Sequence, residues 1–113
     1  MATSNIFVFL DDQGTGITFA NSASGPKDKE LTTAAKKNGK VKWKVKSSEV
    51  EITGITMKDT DIWSTPPTNT NGWEGTISDT APLGDAAYGV NFKINGGSDQ
   101  YQDPKINVKD GGG

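Results

Sequence analysis

The chain has no cysteine and no histidine among its 113 residues. The first absence excludes a disulfide framework and any thiolate site. The two together exclude Cys–His nucleophiles, Ser–His–Asp triads, the usual zinc and copper sites, and the common general base near neutral pH. Apolar residues are scarce as well, at 32%, with a mean hydropathy of −0.59. No segment approaches the roughly 20 apolar residues that span a bilayer. Met1–Asn5 lacks a basic stretch, and Ile6–Leu10 is too short for a secretory core, so a cytoplasmic location is expected. A mature secreted form carrying an added Met would read the same. Twelve basic residues against fourteen acidic ones leave a net charge of −2. That balance gives no general pull toward nucleic acid or an anionic membrane, and neither is expected as a partner.

What is present is glycine, 14 residues, together with three Trp, four Phe and two Tyr. The aromatics argue against disorder, and the length suits one domain, expected over 1–109 with a flexible Gly-rich tail at 110–113. With so few apolar residues, the core must come from alternating faces. Ile6–Leu10 reads as a buried strand and Gly16–Ala20 as its hairpin partner. Leu31, Thr33 and Ala35 alternate like a strand, although Lys29–Lys37 also contains good helix formers. Val41, Trp43 and Val45 alternate with Lys40, Lys42, Lys44 and Lys46. A turn at Ser47-Ser48 would pair Val45 with Val50 and Trp43 with Ile52, setting Lys46 against Glu49 and Lys44 against Glu51. Gly54 is a candidate bulge. Pro66-Pro67 assigns Thr65–Gly72 to a loop. Trp73–Ile77, Tyr88–Ile94 and Ile106–Val108 read as further strands. The expected architecture is all-β: an Ig-like or cupredoxin-like antiparallel sandwich of seven to eight short strands, with Val41–Trp43–Val45 packed on Tyr88–Val90–Phe92–Ile94.

Asn38-Gly39-Lys40-Val41-Lys42-Trp43 resembles the Gly-x-Val-x-Trp strand start of cupredoxin-like sandwiches, here without copper ligands. Asp103-Pro104-Lys105-Ile106-Asn107-Val108 resembles the terminal strand of the bacterial inclusion-body (AidA/PixA-type) proteins. That resemblance implies a cytosolic β-sandwich of poorly defined biochemical role, and a self-associating one.

Several clusters carry candidate chemistry. The stripe Lys40, Lys42, Lys44 and Lys46 could meet an anion, but reads first as a solvated face partly neutralised by Glu49 and Glu51. Trp63 and Trp73 flank a polar segment containing Asn69 and Asn71. With Tyr101 as an outlying addition, these five form a candidate glycan site, in which aromatic faces would stack on sugar rings; the bland alternative buries the tryptophans. Asp59, Asp61, Asp79, Asp85, Asp99 and Asp103 lie in or beside loops, where aspartate is an ordinary turn residue. None shows the spacing of a calcium loop. Neither a paired-carboxylate motif nor a phosphate-cradling glycine loop is evident. The expected role is therefore a non-enzymatic interaction or structural module without a cofactor. Self-association is the first reading and glycan binding the second.

Overall fold

A computed structural model of the chain describes residues 3–22, 25–29, 31–57, 62–69 and 72–110. Ten strands are present among the described residues and no helix: β1 (Thr3–Leu10), β2 (Ile17–Ala20), β3 (Thr32–Lys36), β4 (Lys40–Val45), β5 (Val50–Met57), β6 (Trp63–Asn69), β7 (Trp73–Ile77), β8 (Gly84–Ile94), β9 (Gln100–Gln102) and β10 (Lys105–Lys109). They form a sandwich. One sheet runs β2-β1-β4-β7-β6 and the other β3-β10-β8-β5, with β9 paired to β8. The count exceeds the seven to eight expected because edge pieces such as β6 and β9 carry little apolar signal. The sheets are also mixed, not purely antiparallel: β1 runs parallel to β4, and β3 parallel to β10.

The β1–β2 hairpin pairs Phe7 with Ala20 through to Leu10 with Ile17. Its turn is organised by Asp11, whose carboxylate accepts the backbone N–H groups of Gln13 at 3.1 Å and Thr15 at 3.0 Å. The Lys29 ammonium donates to the same carboxylate at 3.0 Å. That Lys29 hydrogen bond, with the Thr15 and Gly16 amides and the ammonium charge, outweighs desolvation and holds the Asp11 carboxyl below the usual aspartate range. A depressed folded-state value means the contribution is present above the ordinary aspartate pKa and lost as pH falls through the folded value. Asp11→Asn should therefore be less stable than the parent at about pH 7. The gap should close in acid, below the ordinary aspartate range, as urea midpoints measured across pH will show.

Val41, Trp43 and Tyr88–Val90–Phe92 are buried and face one another across the sandwich, as their alternation suggests. Val45 is the exception: it is 37% exposed, because β4 continues past its neighbour β7 there. In the first strand only Ile6 and Val8 are fully buried; Phe7 and Phe9 point to the outside of the sheet, half-buried.

The expected Ser47-Ser48 hairpin does not form. β4 pairs with β1 and β7, while β5 pairs with β8 in the opposite sheet. The intervening turn crosses from one sheet to the other. Lys46 N–H donates to the Val8 carbonyl at 2.8 Å, and the Ser47 hydroxyl accepts Leu10 N–H at 2.8 Å. These bonds commit the end of β4 to β1, so Glu49 and Glu51 do not lie opposite the lysines. Asn38-Gly39 likewise carries the chain between sheets, with Asn38 at φ 64°. The strand reading of 31–37 is borne out by β3, with Thr33 and Ala35 inward. The proline segment is strand, not loop. β6 is an edge strand whose pairing with β7 slips between Thr65 and Thr68, where Pro66 and Pro67 need donate nothing. The expected bulge at Gly54 is present between β5 and β8. Of the tail, residues 111–113 lie outside the described residues.

Candidate functional site

β7 pairs with β4 only from Lys40 to Trp43, so Lys44 and Val45 extend beyond the start of β7. The β6–β7 connection ends at the same place, with Gly72 at φ 85°, a conformation that favours glycine. Across the sandwich lies the edge of β5. The result is an open cleft of about 430 Å³ between the two sheets. Trp73, Val45, Val50 and Ile52 supply its apolar wall, and Lys42, Lys44, Glu51 and Asn69 also line it.

Trp73 is fixed in this cleft. It is half-buried against the core, and its indole N–H donates to the Ile52 carbonyl at 3.3 Å. A donor from one sheet thus reaches the edge strand of the other, which holds the indole in a defined orientation. Because the N–H is already bonded, what the indole can offer a ligand is apolar surface. Among the described residues lining the cleft, Glu51 is the lone carboxylate, so a two-carboxylate acid–base pair is not assembled there. The described residues also contain no group of three or more His, Cys, Asp or Glu placed to hold a metal. Asp59 and Asp61 lie outside the described residues.

The five residues marked from the sequence disperse. Trp73 and Asn69 both line the cleft. Trp63 does not: it is 7% exposed, and its indole stands 5.9 Å from that of Trp43 in the core. It cannot present a face to a sugar. Tyr101 is exposed, but on β9 of the opposite sheet, where its ring lies over Gly89 of β8 at a distance no side chain there would permit. Asn71 lies outside the described residues. The residues missed were Val45 and Glu51, and Lys44 reads from the sequence only as part of the lysine stripe. A β4–β5 hairpin would have hidden their relation, since it pairs these strands edge to edge and leaves no space between them.

A family model described as a domain of unknown function (DUF8788) matches residues 4–100 of the chain. The match covers most of the sandwich, from β1 into β9, and the chain belongs to that family. A search of curated proteins finds no match.

Proposed function

We propose that this member of the DUF8788 family is a non-enzymatic binding module, and that the Trp73 cleft receives a carbohydrate chain. The observation that carries the reading is the pinned indole of Trp73 in an open cleft that Asn69, Lys44 and Glu51 also line. Sugar rings present apolar C–H faces and equatorial hydroxyls, which suit an oriented aromatic surface rimmed by mixed donors and acceptors. The missing histidine and cysteine favour binding over catalysis.

Self-association, which the inclusion-body resemblance implies, has less support from the sheet edges. β6 carries two prolines, and the β2 backbone at Phe19 is bonded to Asp28 in both directions, at 2.8 and 2.9 Å. Ser4 takes the Ala34 carbonyl on β3, and Trp73 takes the Ile52 carbonyl on β5. Occupied edges of this kind discourage strand-to-strand addition.

The test is a panel of oligosaccharides titrated against tryptophan emission, on the parent and on Trp73→Ala. A binder should be found, and the substitution should weaken it about 30-fold, as expected of an aromatic hot spot. Binding that survives Trp73→Ala would place the site elsewhere. A silent panel with a concentration-dependent mass in light scattering would replace this reading with self-association.

A further inference from the structure

The outer face of the β2-β1-β4-β7-β6 sheet is a second surface, adjoining the cleft at Lys42 and Lys44. Lys42 and Lys44 project there from β4, with Lys46 just beyond its end. Parallel pairing sets Phe7 beside Lys44. The Lys44 and Lys46 ammoniums stand 5.8 and 5.5 Å from the centre of the Phe7 ring, and Lys27 stands 4.3 Å from that of Phe9. Such distances are those of cation–π attraction. Of the acids nearby, Glu74 lies on this face opposite Lys42 and bonds Lys40, Asp11 bonds Lys29 in a pocket that Asp12 and Lys27 also line, and Glu51 belongs to the other sheet. Lys27, Lys42, Lys44 and Lys46 enter no ion pair among the described residues.

We infer that this face binds single-stranded nucleic acid, its lysines following the phosphates while Phe7 and Phe9 meet the bases. Charge complementarity carries the assignment, because four ammoniums that enter no ion pair among the described residues share one open sheet face on a chain of net charge −2. The aromatics choose among polyanions. Phe7 and Phe9 are two residues apart on one side of β1, about 6.7 Å, and both are half-buried. Stacking platforms within a basic surface are the usual means of holding a single strand without reading its sequence. A duplex hides its base faces, and a sulfated glycan or an anionic lipid surface has none to stack.

The experiment is fluorescence anisotropy of the full chain with a labelled oligothymidylate of about 15 nucleotides, over a series of salt concentrations. Heparin, duplex DNA and anionic vesicles serve as separate competitors. The expected result is salt-dependent binding in which the unlabelled single strand competes best. Lys44→Gln and Lys46→Gln should each lower the salt slope by about 0.7. Phe9→Leu should weaken binding about tenfold while leaving the slope unchanged. The thermal melts of the variants should match the parent, so that a folding defect is not read as lost binding. No binding at low salt would overturn the inference. So would equal or better competition by heparin, duplex or vesicles, or a Phe9→Leu variant that binds as the parent does. Lys42 and Lys44 also line the Trp73 cleft, but the Trp73 indole is turned to the opposite sheet, so Trp73→Ala should leave oligothymidylate binding intact.

Discussion

Trp43→Ala is expected to cost the fold about 3–5 kcal/mol, a large part of the roughly 5–15 kcal/mol that holds a domain of this size together. Trp43 sits at the centre of the sandwich, 3% exposed. Its indole meets Tyr88 from the opposite sheet edge-on, with centroids 5.6 Å apart, and Trp63 from its own sheet at 5.9 Å. The indole N–H donates to the Tyr88 hydroxyl at 3.1 Å, and neither group is in reach of solvent. Burial pushes the Tyr88 phenol well above its usual value, so it stays neutral throughout the range in which the protein is handled.

The conservative variants separate packing from the hydrogen bond. Trp43→Phe leaves the Tyr88 hydroxyl without its donor, and Tyr88→Phe leaves the indole N–H without its acceptor; each orphaned group costs about 1–3 kcal/mol. The double variant removes both partners and should cost less than the two losses added together, by about 0.5–3 kcal/mol. Urea denaturation of the four proteins measures this coupling, and strict additivity would show that the bond contributes nothing.

The inward faces of this core were legible from the residues, and the neighbours were not. Val41 and Trp43, Val50 and Ile52, and Tyr88 to Phe92 all alternate, and all are buried. Alternation reports which side of a strand faces the core. It does not say whether two such strands lie side by side or face each other. Lys44 opposite Glu51 made the lateral arrangement attractive, but those charges turn out to belong to different sheets. The deciding interactions are non-local: Lys46 to Val8, and Ser47 to Leu10. The parallel pairs are equally remote, since β3 and β10 are separated by most of the chain. The same limit governed the site. Trp63 and Trp73 have similar surroundings in sequence, and only the packing of an edge strand sends one into the core and the other to a cleft. The cleft itself is a property of two strands ending at different points, which no local pattern encodes.

Trp63 reaches the core because Gly75 lets it. Gly75 lies opposite Val41 in the pairing of β4 with β7, on the buried side of the sheet. A methyl group there would stand 3.0 Å from two carbons of the Trp63 six-membered ring and 3.1 Å from a ring carbon of Pro67. The indole cannot retreat freely, since Trp43 lies behind it. Glycine in a strand interior normally weakens it by about 0.5–1 kcal/mol relative to alanine, and the backbone here does not have the positive φ that would make alanine strained. On backbone grounds alone, Gly75→Ala should stabilise. The steric argument gives the opposite sign: a loss of about 1–3 kcal/mol from overpacking, and more for Gly75→Val. Thermal melts decide between the two. In a Trp63→Leu background, which removes the six-membered ring, the penalty should shrink to what the Pro67 contact alone imposes. An undiminished destabilisation in that background would mean that Pro67, not the indole, sets the cost at Gly75.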